Sequence, residues 1–443
     1  MNKYIFCLFL LLTSVCFAAT TSASTQTKNP AKKKVAVHSK TTAKKKAVVH
    51  PAAKTAPVVS QALYDEQLNT IENDFALRHF YAQLKKLESG EVKQVSIVHI
   101  GDSHVQADFF TGTLRDSFQA RFGNAGRGLY FPYRTAGTNG PDGIKDKGSE
   151  ASWKMKRCAF PMQPMPIGLM GITLEVAQNA SIDIYIRAED SANYFNELRV
   201  FADNNGGESI TASTIDGAVL FAAEGAPFHN KSQLTEFELG KPLSAIKLGL
   251  HPSSIDDTIT QMHLYGLQLN RTDAVGVQYN MIGVNGAKFS DYNASRYFFS
   301  QISKVPADLF VISLGTNEAL SLTYAADSMY MALDQFYTRL RQVQPEASIL
   351  FTAPPDTYYQ HLNPNPHTAE IVDIERRYSI AHDCAFWDFY MIMGGLGSVT
   401  NWYKQGLGNK DLVHFLRAGY QKQGQLLYRA LMKAYLESLN EKK

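Results

Sequence analysis

Acidic residues are missing from the first 60 positions. That stretch holds ten lysines (Lys3, Lys28, Lys32, Lys33, Lys34, Lys40, Lys44, Lys45, Lys46 and Lys54) and neither Asp nor Glu. The full chain of 443 residues has a formal net charge of +3, so removing those ten charges leaves about −7 for the remainder. A basic arm therefore precedes a mildly acidic body. Nucleic-acid binding would need a basic face on the folded part, and none is suggested. Cysteine is also scarce. Of the four, Cys7 and Cys16 fall in the N-terminal apolar run, which leaves Cys158 and Cys384. One disulfide is the most that pair allows, and no CxxC or Cys/His cluster points to a metal. Beyond the N-terminus no apolar run is long enough to span a bilayer.

The N-terminus itself has the pattern of an export signal over 1–23. Lys3 supplies the positive end, Tyr4 to Phe17 a short apolar core, and Ala18, Ala19 or Ala23 the small residues for cleavage. Lipidation would fall on Cys16, but Val15 before it is a poor small residue. Residues 24–62 contain the near-repeats "AKKKVAVHSK" and "AKKKAVVHPA". This composition cannot bury a core and predicts a disordered, self-repelling linker. It would serve as a solvated spacer, or as a tether in peripheral contact with an anionic envelope surface. An exported, periplasmic, cell-envelope location is the matching expectation.

The body changes character twice. Leu63–Leu87 is helical in pattern, Val95–Ile100 reads as a buried strand, and Phe109–Phe122 as the helix after it. Residues 137–272 then hold short alternating runs such as "GITLEVA", "SIDIYIRA" and "ELRVFAD" between Gly, Asn, Asp and Ser turns. That spacing predicts an antiparallel β-sandwich. From 273 strands and helices alternate again: "VGVQYNMIG", Tyr292–Ile302, "ADLFVISLG", Tyr324–Val343, "ASILFTAPP", Ala369–Ala381, "CAFWDFY" and Phe415–Leu439. Such alternation implies a parallel sheet covered on both faces. The expectation is an α/β domain formed by 63–136 and 273–443, interrupted by a β-sandwich inserted at 137–272.

Active sites of such sheets lie at the carboxyl ends of the strands. Four segments fall there: Gly101-Asp102-Ser103, "IGVNGA" with Gly286, "SLGTNEA" with Asn317, and Asp411-Leu412-Val413-His414. Singly, each has an ordinary explanation. Ser103 could cap the next helix, Gly286 could be a turn glycine, Asn317 a cap or turn residue, and Asp411 the start of the last helix. Together they supply every part of an acyl-transfer site. A serine nucleophile needs a base, the histidine base needs an acceptor on its other nitrogen, and the tetrahedral intermediate needs oxyanion donors. Ser103, His414 and Asp411 fill the first three roles. The N–H groups of Ser103 and Gly286 and the amide of Asn317 fill the last.

In that order the blocks "GDS" (101–103), "NGA" (285–287), "GTNE" (315–318) and "DLVH" (411–414) resemble those of the SGNH, or GDSL-like, esterase family. Glu318 stands where many members have Asp, outside the catalytic set. The resemblance implies a flavodoxin-like three-layer hydrolase domain and a serine esterase that uses no cofactor and no metal. "GDSHVQADFFTGTLRDSFQARFGNAGRGLYFPYR", with a sandwich directly after it, resembles more narrowly the bacterial peptidoglycan O-acetylesterases, which carry a carbohydrate-binding-module-like insertion. "YNMIGVNGAKFSDY" and "DLVHFLRAGYQKQGQLL" fit the same group. That resemblance implies a peptidoglycan or other O-acetylated glycan substrate, with the muramic acid 6-O-acetyl group removed through an acetyl-serine. Alternatives are transfer of the acetyl to a glycan, action on another polysaccharide such as xylan, or a non-catalytic wall-binding protein. Asp102 and His104 could line the pocket. Asp102 equally fixes the turn, and His104 equally packs. Trp153 and Trp402 could stack on sugars but more often such residues are core or surface. His99, inside the strand, reads as structural.

Overall fold

Five apolar segments build a parallel sheet: β1 (Gln94–Gly101), β2 (Gly276–Gly283), β3 (Leu309–Ser313), β4 (Ser348–Thr352) and β5 (Ala385–Trp387). The computed structural model describes residues 63–159, 165–203, 208–224, 233–255, 258–259 and 261–440. The expected signal, the lysine-rich linker and Cys16 lie outside the described residues. The strand order is β2-β1-β3-β4-β5, parallel throughout. This is the flavodoxin-like order. Residues 95–101 and 276–283 are all buried, which explains their continuous rather than alternating hydrophobicity.

The register of this sheet positions the site. Gly101 at the end of β1 lies opposite Gly283 of β2 on one side and Ser313 of β3 on the other. The three strands stop at one level. The loops that follow, with Ser103, Gly286 and Asn317, therefore leave the sheet side by side. Gly283 permits the close approach this requires: a Cβ there would stand 2.4 Å from the backbone nitrogen of Gln106.

The main helices are α1 (Arg78–Ser89), α2 (Phe109–Phe122), α3 (Ala326–Val343), α4 (Pro366–Ala381) and α5 (Arg417–Asn440). Their apolar positions recur at helical spacing. In α1, Phe80, Leu84 and Leu87 are buried, each contributing roughly 1.5–3 kcal/mol by leaving water. α2 packs on α5, and α3 on α4. No helix among the described residues is long and apolar enough to cross a membrane.

Between β1 and β2 stand two antiparallel sheets. One runs Leu234–Leu243, Phe195–Ala202, Met262–Asn270, Ile172–Val176, Lys154–Arg157; the other Ile144–Gly148, Ala180–Ile186, Ala245–His251, Ser209–Ser213, Val219–Glu224. Strand Ala180–Ile186 buries every second residue, from Ala180 through Ile182 and Ile184 to Ile186. The buried side chains of both sheets and of the α/β layers belong to one continuous cluster.

Several expected elements shift. The antiparallel layer starts before 137: Gly128–Tyr130 pairs with Leu267–Leu269, and the side chain of Asn280 on β2 accepts the Leu129 N–H. The helix expected from Leu63 begins only after Asn73, whose left-handed backbone (φ 51°) and side-chain amide, which donates a hydrogen bond to the Cys384 carbonyl, break the run. The helix expected at Tyr292–Ile302 splits into Phe289–Ala294 and Phe298–Ile302, because Ser295 is extended. Cys158 and Cys384 are both buried and unpaired with each other.

Candidate active site

The turn after β1 settles which residue caps the following helix. Asp102, not Ser103, is the N-cap of the short helix Ser103–Gln106, and its Oδ1 accepts the His104 N–H at 2.9 Å. Ser103 is thereby the first helical residue, and its hydroxyl is free to face outward. Its Oγ lies 2.9 Å from Nε2 of His414. Nδ1 of His414 lies 2.9 Å from Oδ2 of Asp411. The three side chains form a chain of hydrogen bonds across 311 residues of sequence.

Asp411 is not a helix cap either, since α5 begins at Arg417. Its Oδ1 instead accepts the N–H groups of Val413 (3.0 Å) and His414 (2.9 Å), closing a local turn. Leu412 in the middle has a left-handed backbone, φ 54°. Burial opposes charge on Asp411, but these hydrogen bonds and the nearby imidazole outweigh it and hold the carboxyl far below the usual range. Burial likewise opposes charge on His414, yet Asp411, with a smaller pull from Asp102, raises its pKa above the ordinary value. A base that accepts the Ser103 proton is thus stabilised in its protonated form.

The second loop leaves β2 at Val284, whose N–H donates to the Gly101 carbonyl at 3.3 Å. Gly286 sits at φ 85°, which a side chain would strain. In the first two loops the turn hydrogen bonds run from Val105 and Gln106 to the Asp102 carbonyl and from Ala287 to the Val284 carbonyl. The N–H groups of Ser103 and Gly286 stay outside those turns. Asn317, for which a cap was the ordinary alternative, is the second residue of the helix Thr316–Ala319 and caps nothing there. Its amide nitrogen donates to Oδ2 of Asp102 (3.1 Å) and to the Ala287 carbonyl (3.0 Å). The amide thus touches both other loops. Burial pushes Asp102 up to about 7, against the pull of the His104 N–H and of His414.

His104 stacks on His414, ring centroids 5.2 Å apart, and shares a 3.0 Å hydrogen bond with the Tyr420 hydroxyl. Burial, then the His414 charge, push it well below the ordinary range, so it stays neutral. His99 is held inside the sheet between the hydroxyls of Tyr279 (2.8 Å) and Ser313 (2.7 Å), and burial pushes it down to about 3. It is structural, as its place in the strand implied. Trp402 is buried and stacks on Phe415 at 4.9 Å, so no sugar reaches it. Trp153 is half-buried and donates to the Ser149 carbonyl.

Two residues that knit the loops were given no role from the sequence. Gln106 accepts the Asn285 N–H (2.7 Å) and donates to Asn139 and Thr138. It stands one turn after Ser103, which was the available signal. Glu318, beside Asn317, is buried and accepts the Phe289 N–H at 2.7 Å, and burial pushes it up to about 7. No group of three or more His, Cys, Asp or Glu suited to a metal occurs among the described residues.

Residues 259–422 match the model of the GDSL-like lipase/acylhydrolase family. That match spans well under half of the chain. The acylhydrolase match includes Gly286, Asn317, Asp411 and His414 but not the Ser103 turn, which the antiparallel sheets separate from it in sequence. No curated protein matches the chain. Among solved structures, a peptidoglycan O-acetylesterase overlays with a TM-score of 0.68 at 22% identity, covering 81% of this chain and 96% of that one. A family two carbohydrate esterase from Clostridium thermocellum covers 64% of this chain and 98% of that one, at 14% identity and TM-score 0.27. A GDSL-like lipase from Bacteroides thetaiotaomicron covers 36% and 76%, at 17% identity and TM-score 0.28. The family match covers the second part of the α/β region, and the overlay at 22% identity shows a shared fold.

Proposed function

We propose that the protein removes O-acetyl groups from a cell-wall glycan, peptidoglycan first, by a serine mechanism. The observation that carries this reading is the unbroken chain Ser103–His414–Asp411 at 2.9 and 2.9 Å, beside three candidate oxyanion donors. Ser103 Oγ attacks the acetyl carbonyl while His414 Nε2 takes its proton. Asp411 orients the ring and stabilises the imidazolium. The N–H groups of Ser103 and Gly286 and the Asn317 amide hold the oxyanion. Asn317 now gives its amide nitrogen to Asp102 and Ala287, so binding an oxyanion means trading one of those acceptors for substrate. His414 then protonates the sugar alkoxide as it leaves. Water, deprotonated by the same histidine, clears the acetyl group from Ser103, and acetate departs.

The substrate class is supported by the overlay with a peptidoglycan O-acetylesterase, which covers 81% of this chain, more than the α/β part alone. The N-terminal export pattern and the lysine-rich linker support action in the cell envelope, with the linker resting against anionic surfaces. Acetate release from purified O-acetylated peptidoglycan, with acetylated xylan in parallel, tests the substrate. Release from the wall and not from xylan is the result expected. Release from xylan alone would keep the chemistry and reassign the glycan.

A further inference from the structure

The turn that carries Asp411 and His414 does not stand alone. Behind it lies a small hairpin, Tyr358–Tyr359 paired with Asn363–Pro364. Two consecutive carbonyls of the catalytic turn are taken up by it. Nδ1 of His361 lies 2.5 Å from the Asp411 carbonyl oxygen, and the Tyr358 N–H donates to the Leu412 carbonyl at 2.9 Å. A carbonyl only accepts, so His361 carries its proton on Nδ1. The backbone is unusual at both contacts. Gln360 (φ 50°) and His361 (φ 60°) at the hairpin tip and Leu412 (φ 54°) in the catalytic turn are all left-handed, though none is glycine. Such conformations persist where surrounding contacts over-determine them.

The base of the hairpin is anchored elsewhere in the site. Asn365 is fully buried, and its amide donates to the carbonyl of Ala319, the last residue of the helix that carries Asn317. The hairpin therefore spans from the oxyanion helix to the main chain of the acid–base turn. Asp411 uses its carboxylate for His414 and its carbonyl for His361, so its two ends are held from opposite sides.

We propose that the hairpin 358–364 is a strap that sets the alignment of the acid–base turn, with His361 as its positioning residue. The proposal rests on the reading of Ser103, His414 and Asp411 given above. It adds a residue that touches no substrate and acts through Asp411. Without the His361 hydrogen bond, Leu412 is free to relax from its left-handed backbone. Asp411 then turns relative to His414, and the ring loses its fixed aim at Ser103.

The test is steady-state hydrolysis of a chromogenic acetate ester by wild type, His361→Ala, His361→Asn and Ser103→Ala. His361 is exposed, so its variants should fold, and equal unfolding midpoints check this. The expected result is a kcat lower by about ten- to a hundredfold in His361→Ala with KM unchanged, since small misplacements of reacting groups carry costs of that order. Asparagine places an amide donor near the Nδ1 position, so His361→Asn should recover most of the loss. Unchanged kcat in His361→Ala, or an equal loss in His361→Asn, overturns the strap while an inactive Ser103→Ala leaves the catalytic reading in place. Full activity in Ser103→Ala overturns both.

Discussion

Two Asp–His pairs can be set side by side in this molecule. In the turn before α5, His414 lies 2.9 Å from Asp411. In the antiparallel layer, Nδ1 of His263 lies 2.5 Å from Asp203, and the Tyr265 hydroxyl donates to the other Asp203 oxygen at 2.6 Å. In both, burial works against the charged ring and the carboxylates outweigh it, so both histidines are raised. They differ at the far nitrogen. Nε2 of His263 faces Glu175 at 3.3 Å, a second carboxylate that only accepts. His263 must therefore hold both protons, and it has no lone pair to offer. Nε2 of His414 faces the Ser103 hydroxyl, which can donate. An Asp–His pair is thus a structural ion pair or a general base according to what its second nitrogen meets.

The comparison can be broken most severely at His414. His414→Ala should lower kcat on the order of 10⁶-fold, as removal of the base does in serine hydrolases, with little change in stability. Steady-state kinetics on an acetate ester check it. Asn317→Ala should cost on the order of 10²–10³ in kcat. A loss confined to KM would remove Asn317 from the oxyanion site. The opposite pattern is expected in the antiparallel layer. His263→Ala leaves Asp203 buried without a cation and Glu175 with only its 2.8 Å pair to Lys154, so denaturant unfolding should show a loss of up to about 3 kcal/mol, while the kcat of the folded protein stays at the wild-type value.

The smallest effects are in pH. The proposed mechanism needs neutral His414, whose pKa is raised by Asp411, so kcat/KM should rise with pH through a value above about 6.5. Asp411→Asn removes that pull and should move the limb to lower pH. For His263 the sign runs the other way in stability. Its folded pKa lies above the unfolded one, so its contribution is complete below about pH 6.5 and is lost as pH rises through the folded value. The stability difference between wild type and His263→Ala should shrink accordingly at alkaline pH.

What was legible in the sequence follows the same division. Ser103, Gly286, Asn317 and the Asp411–His414 turn each sit directly after a strand or before a helix, in short segments whose residue types carry their own chemistry. The parallel sheet was implied by strands that alternate with helices. Residues that act across loops were not legible. Glu318 looked like a neutral variation beside Asn317, yet its carboxyl holds the Gly286 loop through Phe289. Gln106 and His361 likewise matter only once separate loops meet. The early start of the antiparallel layer at Gly128 was missed for a related reason: a three-residue strand shows no alternation of its own until Leu267–Leu269 supplies a partner.

The central claim is that Ser103 is the nucleophile of an acetylesterase. Its most direct test is acetate release from O-acetylated peptidoglycan by wild type and Ser103→Ala at matched folded concentration. Release by wild type that falls to background in the variant is the result this account predicts. Equal release by the two proteins would contradict it.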